Sequence, residues 1–403
     1  MKNTGAHFIL LLLTVFFSSC ANKSDEYIDP RGTDYAGSES CIQCHQATYQ
    51  MALKSAHYKA TAPGTRENIL GDFDSAKHIF IYDADTKLVM EKRNDSLYQV
   101  LYKNGKEVEA HRFDIIFGIK HAQTAAYWDS NYPYELPISY YKSINNWATS
   151  PGFSEKEASF SRKIGKECFA CHSSNIGSRF ITTNSDSINF LSMDVEDFMN
   201  EKTLVYGIDC ERCHGPAKKH VNYHLKFPNV KTAYAMVLYD TLKRQQKLDA
   251  CALCHSGNDK LKVKSRFEFR PGDNLLDYFR GVPKSNDTTN YDVHGNQFLL
   301  LSQSKCFTKS EAIDCMTCHN PHENAAKSMA SYSKICMSCH SIVKHNSATT
   351  KSISDNLLKN NCIECHMPKQ PSKSIKFQQS GHQTISNYSL RTHRIATYPI
   401  RTK

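Results

Sequence analysis

The pattern Cys-x-x-Cys-His occurs seven times in this chain of 403 residues and uses all but two of its 16 cysteines. At the chain's own cysteine and histidine frequencies, chance would produce about 0.03 copies. Each copy presents two thiols and one imidazole at a fixed spacing. The copies are Cys41/Cys44/His45, Cys168/Cys171/His172, Cys210/Cys213/His214, Cys251/Cys254/His255, Cys315/Cys318/His319, Cys336/Cys339/His340 and Cys362/Cys365/His366.

This spacing suits covalent attachment of haem. The two thiols can form thioether bonds to the vinyl groups, and the adjacent histidine supplies the proximal ligand of the iron. The sequence therefore predicts seven covalently attached haems c. Zinc is the main alternative, but a closed zinc site needs about four ligands and gives no reason for a histidine after every second cysteine. A structural disulfide framework is disfavoured because a two-residue gap favours redox or metal chemistry.

The N-terminus predicts export and lipidation. An apolar run at residues 8–17 is followed by Ser18 and Ser19 and then by Cys20, in the pattern of a secretory signal. The run is too short to span a bilayer. Small residues before a cysteine resemble the bacterial lipoprotein cleavage site, which predicts a lipidated Cys20; a plain signal peptide cut nearby is the alternative. We expect a lipoprotein anchored to a membrane, facing the periplasm or the cell surface.

The formal net charge of +10 raises the question of a nucleic-acid partner. Export argues against one, and no basic block is interleaved with aromatic stacking residues. Seven haems would add about 14 propionate charges and offset the excess of Lys and Arg. We therefore expect no nucleic-acid binding.

The motifs are unevenly spaced, and the longest gap, between Cys41 and Cys168, must hold another unit. Between residues 77 and 118, short apolar runs alternate with turn signals, including Asn104-Gly105, which favours tight hairpins. This pattern predicts a small antiparallel β-meander, followed by two loops. Short helices joined by loops are expected elsewhere. The predicted fold is mainly α with many loops, packed around haems, with the meander as an insertion.

We number the haems in the order of their motifs, from haem 1 at Cys41 to haem 7 at Cys362. The predicted segments are residues 1–19 as a signal peptide, 20–37 as a tether after Cys20, 38–66 with haem 1, 67–150 as the β-rich insertion, 151–300 with haems 2 to 4, and 301–403 with haems 5 to 7.

Histidines outside the motifs could take the sixth, distal position on the irons. A proline-bearing loop joins His319 to His322, so His322 is expected to ligate a haem other than haem 5. Met367 is another conceivable donor, although packing is the favoured role for it. The distal candidates are His57, His220, His294, His322, His345, His382 and His393, and the weaker ones are His78, His111, His121 and His224.

These residues resemble the multihaem cytochromes c related to the tetrahaem cytochrome of ammonia oxidisers and to octahaem hydroxylamine oxidoreductases. The likeness extends from about Ser38 to Arg394. The phrases that carry it are Ser40 to His45 with Ser55 to His57, Gly207 to His220, and Asp314 to His322. A second set, Phe117 to Trp147, His294 to Phe298 and Cys362 to Pro368, is similar to multihaem cytochromes that often carry C-terminal tetratricopeptide repeats.

In that family, histidines in the Ser-x-His, Gly-Pro-x-x-x-His and Asn-Pro-His phrases are typically distal ligands. The resemblance thus implies this role for His57, His220 and His322. The chain departs from the family in having seven motifs where the oxidoreductases have eight, and in reaching Lys403 without helical repeats. It also lacks the Cys-x-x-Cys-Lys site of pentahaem nitrite reductases.

Two functions fit these features. The first is electron transfer through mostly bis-His haems, between quinol-linked or periplasmic donor and acceptor proteins, with no catalytic residue. The alternative is a multihaem oxidoreductase in which one haem keeps an open position and acts on a small nitrogen or sulfur compound. A third hypothesis makes the β segment a docking module for a redox partner.

Overall fold

The computed structural model describes residues 28–74, 76–182, 195–257, 260–280, 291–325, 328–345, 353–382 and 384–399. The predicted signal peptide and Cys20 lie outside this part. Helix and strand occupy nearly equal shares, 29% and 28%. The expectation of a mainly α fold was therefore wrong, and several antiparallel sheets account for the difference.

The strands are β1 (Thr61–Pro63), β2 (Ile79–Ile81), β3 (Thr86–Arg93), β4 (Ser96–Lys103), β5 (Lys106–Arg112), β6 (Ile115–Phe117), β7 (Ala122–Asp129), β8 (Tyr132–Glu135), β9 (Ile138–Tyr141), β10 (Asn146–Thr149), β11 (Ser173–Thr182), β12 (Val195–Tyr206), β13 (Leu261–Lys262), β14 (Phe279–Arg280), β15 (Lys369–Gln378) and β16 (Ile385–Arg391).

The α-helices are α1 (Ile42–Ala52), α2 (Lys166–His172), α3 (Cys210–His214), α4 (Lys218–Lys226), α5 (Arg244–His255), α6 (Gln297–Ser302), α7 (Lys305–Lys309), α8 (Met329–Cys339), α9 (Asp355–Asn360) and α10 (Cys362–His366). Short 3-10 turns cover Ser38–Cys41, Ala76–His78, Tyr239–Thr241, Arg266–Glu268, Leu275–Asp277 and Cys315–Thr317. No helix in the described ranges combines the length and apolar character needed to cross a bilayer.

Two antiparallel sheets form a β unit between the first two motifs. One has the order β2-β3-β4-β5, and the other has the order β1-β6-β7-β9-β10 with β8 paired to β7. Their inner faces share one apolar cluster that includes Leu88 and Met90 of β3, Ile138 of β9 and Trp147 of β10. This unit therefore has a conventional core that needs no cofactor.

The β unit is larger than the predicted meander. Asn104 and Gly105 have φ angles of 51° and 74° and join β4 to β5 in a two-residue turn, which confirms the predicted hairpin. The two segments expected as loops after the meander are strands β7 to β10 instead. Their side chains pack against the cluster, and the hydroxyl of Tyr127 donates to the carbonyl of Phe160 at 2.7 Å.

Two further hairpins replace helices expected among the haem motifs, β11-β12 after the second motif and β15-β16 after the seventh. Phe377 of β15 stacks on Tyr141 of the β unit with ring centroids 4.3 Å apart. A bridge between Ala148 and Gln379 continues this contact. The C-terminal hairpin thus fastens the last motif to the β unit.

The remaining helices are short and share little apolar surface. One small cluster joins Ala252 and Leu253 of α5 to Phe269, Tyr278 and Phe279. Short helices of this kind are marginal by themselves. Apolar side chains therefore form only a small part of the interior around the motifs. The seven predicted haems would fill the rest with their porphyrin faces.

Candidate functional site

Each Cys-x-x-Cys-His motif lies on a helical turn. Residues three apart lie on the same face of a helix, so the turn directs both thiols to one side. Asp209 begins α3, and its carboxylate accepts from the Arg212 N–H at 2.8 Å. Asp314 caps the fifth motif in the same way, through Thr317 N–H at 3.0 Å. An aspartate directly before the first cysteine is thus a local signal for the motif turn.

The structure brings motif histidines to distal candidates in five pairs. In each pair, one ring belongs to a motif and the other does not, although the two come from different parts of the chain. The centroid separations are 6.4 Å for His45–His220, 6.1 Å for His57–His255, 5.9 Å for His214–His322, 6.2 Å for His319–His393 and 6.5 Å for His345–His366.

These separations suit an iron atom between the rings. A metal–imidazole nitrogen bond is about 2.0 Å long, and the ring centre lies roughly 1.1 Å beyond the nitrogen, so two trans ligands have centroids about 6.3 Å apart. Ordinary aromatic contacts span about 4.5–7 Å, so distance alone does not decide. Stacking, however, gives no reason for every pair to join one motif histidine to one distal candidate.

Hydrogen bonds orient several of these rings. The Nδ1 atoms of His57, His220 and His366 lie 3.2, 2.9 and 2.9 Å from backbone carbonyl oxygens. Nδ1 of His255 lies 3.2 Å from the side-chain oxygen of Gln297. Donation from Nδ1–H leaves Nε2 with a free lone pair, the arrangement found for metal-bound histidines. Any residue can supply a backbone carbonyl acceptor, so these orienting hydrogen bonds leave no pattern in the sequence and could not be predicted from it.

Five of the paired histidines are held neutral near pH 7. Burial lowers the pKa of His255 to about 4 and that of His393 to about 4. Burial likewise lowers the pKa of His214, of His319 and of His322. Since only neutral imidazole offers a lone pair to a metal, the surroundings favour the ligating form.

His294 lies near the second and fourth motifs, with no ring contact to a motif histidine in the described residues. The carbonyl of the next residue, Gly295, accepts from the Gly257 N–H at 2.8 Å, and the Cys171 thiol lies 3.9 Å from the carbonyl of Cys254. Burial lowers the pKa of His172, and the charge of His294 lowers it further. Nδ1 of His172 lies 3.4 Å from the carbonyl of Ala60. The distal candidate His294 therefore serves the second motif most directly.

The structure does not bring His382 to a motif. His382 lies in the turn between β15 and β16, and this turn docks on the β unit through the Ile81 N–H, which donates to Ser380 Oγ at 2.8 Å. The seventh motif lies at the other end of β15. The paired ends of the hairpin, Lys369–Arg391 and Gln378–Ile385, are six residue steps apart along β16, or about 20 Å. His340, in the sixth motif, has no ring contact with another histidine in the described ranges.

The cysteines of different motifs also meet. The Cys171 thiol lies 3.9 Å from the carbonyl of Cys254, and the Cys254 thiol lies 3.7 Å from the carbonyl of Ala170. Other cysteines of different motifs lie near enough to raise a neighbour's pKa: Cys210 that of Cys41, Cys315 and Cys213 that of Cys251, and Cys362 and Cys318 that of Cys336. Cys306, which belongs to no motif, is half-buried.

The second thiol of several motifs is accessible. The sequence assigns Cys365 to haem 7, and its exposed thiol could be reached by a porphyrin vinyl group. The role of Cys365 in attaching haem 7 stays a prediction. The second thiol of the motif is exposed in the same way at Cys44, Cys213, Cys318, Cys339 and Cys365.

A buried ion cluster near the third motif was not predicted. The guanidinium of Arg31 lies 2.8 Å from both Asp29 and Asp209 and 3.2 Å from Glu211. Glu211 also accepts backbone N–H groups, including that of Gly37 at 2.9 Å. The cluster ties the chain before the first motif to α3. Sequence offers no signal for it, because its members are far apart in the chain.

The described residues contain no group of three or more His, Cys, Asp or Glu side chains able to hold a metal ion. A haem iron takes four ligands from the porphyrin and needs only two from the protein. The observed pairs of imidazoles, each near two motif thiols, therefore fit haem.

No protein family and no curated protein sequence matches the chain. Among solved structures, the chain is similar to the crystal structure of the outer cell wall cytochrome OcwA, at 14% identity with a TM-score of 0.50. The alignment covers 90% of this chain and 80% of the other. The likeness is one of fold.

Proposed function

We propose that this protein is a heptahaem cytochrome c that transfers electrons outside the cytoplasm. The observation that carries the proposal is the set of five histidine pairs, each joining a motif histidine to a distal candidate at the spacing of a bis-imidazole iron. The fold shared with a cytochrome supports the same conclusion.

We infer an order for the haems from which cysteines lie near one another. A porphyrin would be bonded to its own two sulfurs, so neighbouring cysteines of two motifs would place their porphyrins side by side. The proposed order is haem 1, 3, 4, 5, 6, 7, with haem 2 branching from haem 4 through Cys171 and Cys254. The order differs from the order of the motifs in sequence, because Cys41 meets Cys210 and not Cys168.

Two imidazoles close both axial positions of an iron. Electron transfer needs no free position, whereas binding and turnover of a substrate at the iron do. Five pairs together with His172 and His294 would close six of the seven haems. This count favours conduction as the main function.

Location and partners complete the proposal. The chain is exported and held at a membrane by lipidated Cys20, and it exchanges electrons with quinol-linked or periplasmic redox proteins. The resemblance in fold to an outer cell wall cytochrome supports a place outside the cytoplasm. Exposed basic residues such as Lys369 and Lys373 would attract an acidic partner, so electron exchange should slow as ionic strength rises.

The test is to produce the protein with working cytochrome c maturation and count its haems by the pyridine haemochromogen assay. We expect seven haems and rapid reduction of all of them by one donor. Replacing Cys41 and Cys44 with Ser should remove one haem. The matched control, Cys306→Ser, should remove none. A colourless protein, or one that holds zinc, would overturn the proposal.

A further inference from the structure

We infer that haem 6, attached through Cys336 and Cys339 with His340 as its proximal ligand, keeps an exchangeable sixth position that binds small anions and diatomic ligands. The inference rests on the proposed function, since it presupposes the seven haems. It adds a ligand-binding site to a protein otherwise built for conduction.

The first step is a complete account of the histidines. Every histidine except His7 lies in the described part of the chain. Five distal candidates face motif histidines in ring contact, and His294 precedes Gly295, whose carbonyl accepts from the Gly257 N–H beside the second and fourth motifs. The histidines left over are His78, His111, His121, His224 and His382.

None of these five lies beside His340. His111 packs on Tyr127 of the β unit, with centroids 3.8 Å apart. His121 meets the edge of the Tyr388 ring at 5.9 Å. His224 lies against His220, at 4.6 Å, beside haem 1.

The last two leftover histidines also belong to the β unit. His78 ends the turn that leads into β2. His382 lies at the turn of the C-terminal hairpin, where Ser380 bonds to β2. His340 follows α8, which lies at the opposite end of that hairpin, because Ser333 of α8 accepts from the N–H of Cys362 at 3.1 Å. Haem 6 is thus the haem without a distal histidine.

The segment around His340 favours an anionic or neutral ligand. Residues 328–345 contain two lysines, Lys334 and Lys344, and no acidic residue. Both lysines are exposed. Positive charge beside a ferric iron raises the local concentration of small anions. Ile342, 81% exposed, adds an apolar surface at which a small ligand can approach.

Haem 6 is also well placed to receive electrons. The helix α8, which carries Cys336, touches both neighbouring motifs: the Tyr332 ring lies 5.8 Å from that of His319, and Ser333 accepts from the Cys362 N–H at 3.1 Å. A ligand on this iron would therefore meet electrons delivered from either neighbour. The open position lies within the conducting chain and not on the side branch formed by haem 2.

The experiment uses the purified holoprotein. Electron paramagnetic resonance of the oxidised protein should show one high-spin iron, and adding nitrite should convert it to low spin. Carbon monoxide added to the dithionite-reduced protein should shift the absorption of one haem in seven. Seven haems that are all low-spin and indifferent to both probes would overturn the inference and leave the proposed function standing. A protein without haem would overturn both.

Two double variants locate the site. Replacing Cys336 and Cys339 with Ser should lower the haem count by one and abolish the carbon monoxide response. The matched control, in which Cys41 and Cys44 are replaced, should lose one haem and keep the response. A response that survives loss of haem 6 would overturn the assignment. If the haem 6 variant does not fold, the stoichiometry in the unaltered protein still decides whether one iron is open.

Discussion

The imidazole planes of His214 and His322 lie within 5° of parallel, with centroids 5.9 Å apart. His322 is only three residues from His319, yet it faces the third motif, while His319 faces His393 at 6.2 Å. The loop that joins His319 to His322 would therefore stand between haems 3 and 5, with one of these two histidines serving each haem. In the same loop, the carbonyl oxygen of Pro321 lies 3.2 Å from Nδ1 of His57.

Replacing His322 with Ala should open the iron of haem 3. We expect one additional high-spin signal in the electron paramagnetic resonance spectrum, with the haem count unchanged. In a background that lacks haem 3 through Cys210→Ser and Cys213→Ser, the same replacement should add no signal. If the added signal vanished only when haem 5 was removed, His322 would be a ligand of haem 5, whose motif directly precedes it, and not of haem 3.

Replacing His382 with Ala should leave every haem in its original spin state, because this residue lies at the hairpin turn on the β unit. The control is His220→Ala, which removes the ring facing His45 and should add a high-spin iron that binds carbon monoxide. A new high-spin signal in the His382 variant would show that His382 is a ligand after all.

Replacing Arg31 with Met should lower the free energy of unfolding by about 3–5 kcal/mol, because Asp29, Asp209 and Glu211 would remain buried without their counter-charge. The control is Arg93→Met. Arg93 pairs with Glu91 and Glu107 at a side-chain exposure of 34%, and its loss should cost less than about 1 kcal/mol. Urea unfolding of the holoproteins, followed by circular dichroism, measures both values. Equal losses would contradict this account of the cluster.

Replacing Gly207 with Ala should destabilise the protein strongly. Gly207 has a φ of 62°, and an added Cβ would lie 1.9 Å from the carbonyl oxygen of Tyr58. Gly105 has a similar φ of 74° but open space around it. Both variants carry the backbone cost of about 1–2 kcal/mol, and only Gly207→Ala should add about 1–3 kcal/mol from the clash. Denaturant unfolding of both variants measures the two losses of stability. Equal losses would contradict the predicted clash at Gly207.

Replacing Cys20 with Ala should move the protein from the membrane fraction to the soluble periplasmic fraction, because the acylated residue would be lost. Haem content should not change, since Cys20 belongs to no motif. Fractionation followed by haem staining measures both quantities. If the variant stayed in the membrane fraction with its signal peptide uncleaved, the anchor would be the apolar run at residues 8–17 and not a lipid on Cys20.

The elements that could be predicted are those with local causes. The Asn104-Gly105 turn follows from the preference of these residues for positive φ. Strands β7 to β10 are hard to distinguish from loops in the sequence, because Pro133 and Pro137 suggest turns. Pro133 is accommodated because β8 is the last strand of its sheet, and its outer side makes an isolated bridge between Tyr134 and Lys163, in which the Pro133 carbonyl accepts from the Ile164 N–H. The β15-β16 hairpin was missed because Lys and Ser residues break up the alternation that Ile375 and Phe377 maintain.

The pairing of histidines could not be predicted, because it depends on long-range packing. Nothing near His57 in sequence points to His255, and nothing near His345 excludes its neighbour His340 in favour of His366. Spacing marks the motif residues, whereas the partner of each ring is fixed by how the segments fold together. The Arg31 cluster has the same origin, since Asp29 and Asp209 are near each other only in the folded chain.

In the proposed holoprotein, the crosswise pairing would make each bis-histidine iron a cross-link. An iron held by His57 and His255 closes a loop that spans nearly half the chain, much as a disulfide would, and loops of this length restrict the unfolded ensemble. A chain that is exported from its N-terminus would reach its last distal ligand, His393, only when almost all of it has emerged. Until then the iron beside His319 would remain open to other ligands, so completion of the fold and closure of the metal centres would be a single event.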